Sequence, residues 1–242
     1  MCSSDLICTM AFNSYGNSFQ KNTPVVFNLI IINVLVYIAQ RLIGDSVTDK
    51  IALYPVNSEF FKPYQLVTHM FAHSPDMLMH IIFNMFALWM FGSILERSWG
   101  PKKFLIFYLV SGLAAGGLHL LVQYLRNPEA GQVTQALYDQ AIASEGYFPK
   151  YYLGGAVGAS GAVMGVMVGF AYLFPNSPLY MMFIPIPIKA KFAIPVMVAI
   201  DLFGGFAGIK GDSIAHFAHL GGALAGLLMV LYWNKTNKKT FY

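Results

Sequence analysis

Long apolar runs separated by polar connections dominate the pattern of this chain of 242 residues. A run of about twenty apolar residues is long enough to cross the hydrocarbon core of a bilayer as a helix. Six such runs occur, at roughly residues 24–41, 77–96, 104–125, from within 154–169 to 174, 191–208 and 213–233. The pattern therefore predicts an all-α, polytopic membrane protein built as a bundle of six transmembrane helices.

Composition supports this class of protein. Hydrophobic residues make up 57% of the chain and charged residues only 11%, whereas soluble domains carry about 25% charged residues. The two cysteines, Cys2 and Cys8, both lie in the N-terminal tail and cannot form a disulfide framework. The basic residues are scattered beside apolar runs and do not form one basic surface. We therefore expect the protein to contact the lipid bilayer and not to bind nucleic acid.

The order of polar and apolar segments predicts a single domain. Residues 1–20 are polar and mixed, unlike a signal peptide, so we expect the first apolar run to remain as a span. No internal repeat is visible, and the prediction is a membrane domain at 23–234 between an N-terminal tail, 1–22, and a short basic tail, 235–242. Of the 15 lysines and arginines, nine fall on one side and six on the other. This bias predicts that both termini are cytoplasmic, as in a multi-pass protein of the bacterial inner membrane.

Four polar side chains fall at one depth in the predicted bundle. Ser160 and His219 each lie fourteen residues before the end of their apolar runs, which is about 21 Å along a helix. On the second run, Asn84 and His80 precede Arg97 by thirteen and seventeen residues, or about 20 and 25 Å. In a hydrocarbon core about 30 Å thick, this level is about 5–10 Å below the outer surface.

The small residues suggest which helices bring these side chains together. Two stripes with a spacing of four residues occur on the fourth and sixth runs, namely Gly161, Gly165 and Gly169, and Ala218, Gly222 and Gly226. Ser160 and His219 each lie one residue from their stripe, so packing of the two stripes would bring the two side chains together. A hydroxyl becomes a useful nucleophile when an imidazole within about 3 Å accepts its proton.

His80 and Asn84 are four residues apart and so share one helix face. Neither is a good nucleophile, but both side chains can donate hydrogen bonds. Together with the backbone N–H of Ser160, they could stabilise the oxyanion of a tetrahedral intermediate.

Taken in order, these motifs resemble the rhomboid family of intramembrane serine proteases over about residues 24–233. The matching motifs are Gly158-Ala-Ser-Gly161, Ala218-His-Leu-Gly-Gly222 with Gly226, His80-x-x-x-Asn84, Gly92-x-x-x-Glu96-x-x-x-Gly100, Pro63-Tyr-Gln-Leu-Val-Thr-His-Met-Phe71 and Asp201-Leu-Phe-Gly204. Small-residue patterns are common in membrane helices, so each motif alone is a weak signal. Their combination in this order is specific.

The resemblance implies a rhomboid-like bundle and an activity. Ser160 would be the nucleophile and His219 the general base, a dyad without a carboxylate, with His80, Asn84 and the Ser160 amide as oxyanion donors. The fifth span and the loop at 206–212 would form a gate and cap through which the substrate, a single-span membrane protein, and water enter. No metal or organic cofactor is implied. Met164 departs from the family, which commonly has an aromatic ring at this position, packed on the histidine.

Other interpretations of the same residues remain open. Ser160 taken alone is best explained by helix packing, and His216, three residues before His219, is an alternative base. Asp201, an acid within a predicted span, could orient the base in a triad, and its burial requires a hydrogen-bonding partner or a cavity.

Two histidines and one acid have blander explanations. His69 and His73 have the spacing of metal ligands, but the chain contains no His-Glu-x-x-His, so we favour hydrogen bonding at the interface. We expect Glu96, with Arg97, to anchor a cytoplasmic helix end.

Two rival functions belong to different classes. The first is a catalytically inactive relative that binds membrane proteins for quality control. The second is a small transporter with a proton relay through His80, His219 and Asp201, which should show inverted repeats.

Overall fold

The computed structural model describes residues 21–126, 134–146, 150, 154–181, 184–207 and 216–236. The predicted tails fall almost entirely outside these residues, as does most of the predicted cap loop at 206–212. The described chain is mostly helical, and the all-α membrane class is confirmed.

Nine helices occur among the described residues. They are α1 Pro24–Ile43, α2 Asp45–Ile51, α3 Gln65–Thr68, α4 Leu78–Trp99, α5 Pro101–Arg126, α6 Gln135–Glu145, α7 Ser160–Leu173, α8 Ala190–Ala207 and α9 His216–Thr236. A 3₁₀ turn, His69–Phe71, follows α3, and α4 contains a π-helical turn at Leu88–Gly92.

A helix occupies each of the six predicted runs. Four of these helices, α1, α4, α5 and α9, are long and apolar enough to cross a membrane. Helix α7 is also apolar but has only 14 residues, and α8 has 18 residues with Pro195 inside it. The count of six spans therefore stays a prediction.

A two-stranded antiparallel hairpin interrupts the helical pattern between α7 and α8. It consists of β1, Pro178–Met181, and β2, Ile184–Lys189. The sequence pattern predicts no strand here, because prolines are unfavourable inside strands and weaken the strand signal. At the base of the hairpin, the N–H of Ala190 donates to the carbonyl of Ser177 over 2.9 Å, and that of Lys191 donates to Pro175 over 3.0 Å. These bonds attach the start of α8 to the chain that leaves α7.

Helices α7 and α9 cross with their backbones in contact. A Cβ added at Gly226 would lie 2.7 Å from the carbonyl oxygen of Gly165, and one added at Gly222 would overlap the carbonyl oxygen of Gly161. Packing of the two small-residue stripes is therefore confirmed at these positions. Gly169 is the exception, because its Cβ position lies 2.9 Å from the ring of Phe107 on α5. Its part of the stripe thus faces α5 instead of α9.

Glu96 joins α4 to the start of α1. Its carboxylate accepts the backbone N–H groups of Val25 and Val26 over 2.9 and 2.8 Å, and the residue is 1% exposed. These N–H groups lie in the first turn of α1, where no partner within the helix exists and where a negative charge is favoured. The expected structural role of Glu96 at a helix end is confirmed.

Candidate active site

Ser160 is the first residue of α7, and the segment before it is held by loop residues from the N-terminal half. Leu53 and Ala156 exchange two backbone hydrogen bonds of 2.9 Å each, and the N–H of Gly158 donates to the carbonyl of His69 over 3.0 Å. The helix therefore begins at Ser160, where a backbone N–H without an intrahelical acceptor points out of the helix end. This start gives the hydroxyl and the amide of one residue access to the same space.

His219 lies in the first turn of α9 and faces Ser160. Its Nε2 is 2.8 Å from Oγ of Ser160, and its side chain is 17% exposed. The distance is that of a hydrogen bond between a hydroxyl and an imidazole. The two side chains meet beside the glycine crossing of α7 and α9, as the stripes suggest.

Asp201, on α8, completes a chain of hydrogen bonds that starts at Ser160. Its Oδ1 lies 3.0 Å from Nδ1 of His219 and 2.8 Å from Nδ1 of His216. From the sequence alone, Asp201 is only an alternative orienter of the base, and His216 is an alternative base. The signal for Asp201 was its position as an acid in an apolar run, which requires a partner.

His80 and Asn84 lie on α4 on the other side of Ser160. Nδ1 of His80 accepts the backbone N–H of Ser74 over 3.4 Å, which leaves the ring proton on Nε2. Asn84 donates from Nδ2 to the carbonyl of His80 over 2.8 Å, and a second hydrogen remains on that nitrogen. Each side chain therefore keeps one N–H that can bond an oxygen atom.

Gly158 lies between the side chains of Ser160 and His80. A Cβ added at this glycine would lie 3.0 Å from Nε2 of His80 and 3.4 Å from Oγ of Ser160. The backbone at Gly158 has a φ of +139°, which residues other than glycine rarely adopt. The absence of a side chain at Gly158 thus keeps open the space that these two groups face.

A small cavity lies beside Ser160 and is bounded mainly by small residues. Its lining consists of His69, Met70, Gly112, Ala115, Ala156, Val157, Gly158, Ser160, Gly161, Ala162 and Ala218. A pocket with this lining is suited to a small side chain.

His69 and His73 are structural neighbours of the site. His69 donates from Nδ1 to the carbonyl of Gln65 over 2.8 Å, which is the hydrogen bonding expected for it. His73 packs edge-on against His80, with ring centroids 5.1 Å apart. Neither ring nitrogen of His73 has a hydrogen-bond partner among the described residues, so the hydrogen bonding expected for it is not found. Burial lowers the pKa of His69 and, with the nearby His80, lowers the pKa of His73 to about 3. Both rings are therefore neutral at pH 7.

Arg126, the last residue of α5, contacts the end of α8 and the start of α9. Its Nη1 donates to the carbonyl of Gly205 over 2.7 Å. The guanidinium carbon lies 4.7 Å from the ring centroid of Phe217 and 5.4 Å from that of Phe206. These contacts hold α8 against α9 near Asp201, which is four residues before Gly205.

The chain is similar in sequence to proteins of several organisms. The chain is 28% identical to the human mitochondrial presenilin-associated rhomboid-like protein, over 91% of this chain and 51% of that protein. It is 30% identical to the mitochondrial rhomboid protein 1 of Saccharomyces cerevisiae, over 69% of this chain and 42% of that protein. It is 29% identical to the rhomboid protease GlpG of Pectobacterium atrosepticum, over 91% of this chain and 67% of that protein.

Two consequences of these matches concern extent and location. The chain spans about half the length of the first curated relatives that it matches. Because mitochondrial proteins stand beside bacterial ones among the relatives, the predicted bacterial inner membrane gains no support.

A family model for the rhomboid domain matches residues 61–235, which include Ser160, His219, Asp201, His80 and Asn84. This match covers most of the chain, and the apolar helices agree with it. The chain is an integral membrane protein that belongs to the rhomboid family.

Proposed function

We propose that this chain is an intramembrane serine endopeptidase with Ser160 as nucleophile and His219 as general base. The observation that carries the proposal is the distance of 2.8 Å between Nε2 of His219 and Oγ of Ser160. A serine used only for helix packing does not need an imidazole at its hydroxyl, whereas an activated nucleophile does.

The proposed reaction has two steps. In the first, Nε2 of His219 takes the hydroxyl proton while Oγ of Ser160 attacks the peptide carbonyl, and the same proton then passes to the leaving amine. This step leaves an acyl-enzyme ester on Ser160. In the second, a water molecule gives a proton to His219 and attacks the ester, which releases the acid product and restores the hydroxyl.

The negative oxygen of each tetrahedral intermediate needs hydrogen-bond donors. We assign this role to the backbone N–H of Ser160, to Nε2–H of His80 and to the amide of Asn84. The positive end of the α7 dipole, at Ser160, adds to the stabilisation of charge. All groups in this scheme belong to the protein, so the proposed reaction requires no cofactor.

Single-span membrane proteins are the proposed substrates and partners. The family resemblance supports this class, as does the apolar outer face of α8, where Ile200, Phe203 and Phe206 are 64%, 74% and 68% exposed. An exposed apolar face of this kind is suited to contact with lipid, so a substrate helix in the bilayer can lie against α8. The cavity of small residues favours cleavage next to a small side chain.

Cleavage of a fluorescent single-span substrate in proteoliposomes tests the proposal. Ser160→Ala and His219→Ala should each lower kcat by at least about 1000-fold, because the two groups act as a unit. Ser93→Ala is the matched control, because it removes another buried serine hydroxyl and should retain activity. Undiminished cleavage by either site variant contradicts the dyad.

A fluorophosphonate probe separates the enzyme from its rivals. The folded wild-type protein should be labelled at Ser160, and the label should be lost in His219→Ala. A wild-type protein that neither cleaves the substrate nor reacts with the probe favours the inactive binding protein or the transporter.

A further inference from the structure

Asp201 is a buried acid held between two histidines. The residue is 8% exposed, and both imidazoles approach the same carboxylate oxygen, at 2.8 and 3.0 Å. Charge-assisted hydrogen bonds of this kind offset the cost of burying a carboxylate inside a membrane protein. Asp201 therefore has a defined partner on each side, and one of them is His219.

The hydrogen bonds of His219 determine which of its nitrogens carries the proton. A carboxylate accepts hydrogen bonds and cannot donate them, so Nδ1 of the neutral ring must be protonated to bond Oδ1 of Asp201. Nε2 is then the unprotonated nitrogen, and it faces the hydroxyl of Ser160. This is the tautomer in which the ring can accept the hydroxyl proton.

We propose that Asp201 is a positioning residue, which holds the His219 ring in this tautomer and orientation and stabilises the imidazolium that forms when the ring is protonated. His216 in turn orients the carboxylate through its own bond to Oδ1. The inference rests on the proposed function and extends it, since the family resemblance alone implies a dyad without a carboxylate.

Among the described residues, two further titratable or charged side chains lie near Asp201 and His219, those of His80 and Arg126. His80 of α4 is close enough to His219 for their charges to interact, and it repels an imidazolium if it is itself protonated. Arg126 of α5 bonds the carbonyl of Gly205, one helical turn beyond Asp201. Within the part of the chain that the structure describes, Asp201 is thus the acidic side chain that contacts the His219 ring.

Steady-state kinetics of Asp201→Asn in proteoliposomes test the inference. The amide retains the size of the side chain but loses its charge and can donate to Nδ1, which would place the proton on Nε2. We expect kcat to fall by about 100-fold or more with KM changed by less than about threefold. The acid limb of the pH profile of kcat/KM should move to lower pH, because the imidazolium loses its carboxylate partner.

A merely structural role predicts a different result. Loss of packing would lower thermal stability without a shift of the acid limb. Asp201→Asn with wild-type kcat and an unchanged pH profile overturns the proposal. His216→Ala removes the second partner of the Asp201 carboxylate but leaves the bond between Asp201 and His219 in place, so it should lower kcat less than Asp201→Asn does, and complete inactivation of this variant would instead support His216 as the base.

A spectroscopic measurement keeps the inference independent of activity. Solid-state ¹⁵N NMR of ¹⁵N-histidine-labelled wild-type protein should show His219 protonated at Nδ1 near pH 7, with the signal assigned by its loss in His219→Gln. A ring protonated only at Nε2 overturns the inference, even if the protein cleaves substrates. Conversely, an Nδ1–H ring in a protein without cleavage or fluorophosphonate labelling leaves the positioning by Asp201 intact while the proposed function fails.

Discussion

At the scale of single residues, Gly158 determines whether the space between Ser160 and His80 stays open. In Gly158→Ala, the added methyl group would lie 3.0 Å from Nε2 of His80, so the ring would have to move away from the place that we propose for the oxyanion. We expect kcat to fall by about 100- to 1000-fold, the usual effect of losing an oxyanion donor. Initial rates of substrate cleavage in proteoliposomes measure this change.

Gly154→Ala provides the matched control for this prediction. Gly154 also has a positive φ, of +101°, but a Cβ there would make only ordinary contacts, the nearest at 3.4 Å to Nε2 of Gln123. Both variants therefore impose backbone strain, while only Gly158→Ala crowds the site. Equal losses of activity in the two variants would mean that strain, and not access to His80, explains the effect.

The lowered pKa of His73 should make the stability of the folded protein depend on pH. Burial lowers its pKa from 6.5 in the unfolded chain to about 3 in the folded protein, so the unfolded state binds more protons between these values. Stability should be independent of this group above about pH 6.5 and should fall as the pH drops from 6.5 towards 3. Thermal unfolding in detergent micelles at a series of pH values from 7.5 to 4.5 measures the slope.

The variant His73→Leu isolates this contribution. It removes the titrating group while keeping an apolar side chain next to His80, so its unfolding temperature should fall less steeply with acid than that of the wild type. Buried His69, whose pKa is also lowered, should account for part of the remaining slope. Identical slopes in His73→Leu and the wild type would contradict the assignment.

At the scale of elements, Glu96 holds the start of α1 against the end of α4. Glu96→Gln retains one acceptor oxygen but places an NH₂ group opposite a backbone N–H, which leaves that buried donor unpaired. We expect a loss of stability of about 1–3 kcal/mol, seen as a lower unfolding temperature in detergent.

An exposed carboxylate at another helix start serves as the comparison. Glu59 accepts the backbone N–H of Gln135 at the start of α6 over 2.9 Å, in an exposed position. Glu59→Gln should therefore change the stability by less than about 0.5 kcal/mol. If the two variants are equally stable, burial of the Glu96 carboxylate does not contribute as argued.

The elements also show which sequence patterns were informative. The stripe with a spacing of four predicted the contact of Gly165 with α9, because small residues on one face permit the close approach of another backbone. The same stripe could not show that Gly169 turns towards Phe107, because the bulky partner lies on a third helix. The hairpin at β1 and β2 was missed since an alternation of isoleucine and proline resembles neither regular strand nor helix.

At the scale of the whole molecule, counting residues to the ends of the runs placed Ser160 and His219 at one depth. Depth follows from the rise of a helix and the thickness of a bilayer, so the sequence contains it. The rotation of α8 about its axis is decided by packing against its neighbours. For this reason the sequence identified Asp201 as an acid in need of a partner, while its bonds to His216 and His219 emerged only with the structure.

The attachment of α8 at its hairpin end has a mechanical consequence. Because two backbone bonds secure Ala190 and Lys191, a tilt of α8 would have its pivot at that end. Asp201 lies eleven residues from the pivot, about 16 Å along the helix, so a swing of about 10° moves it by about 3 Å. A displacement of that size breaks a hydrogen bond of 3.0 Å. If the proposed substrate enters by displacing α8, the carboxylate would lose its bond to His219, and α8 would have to return before Asp201 could again orient the proposed base.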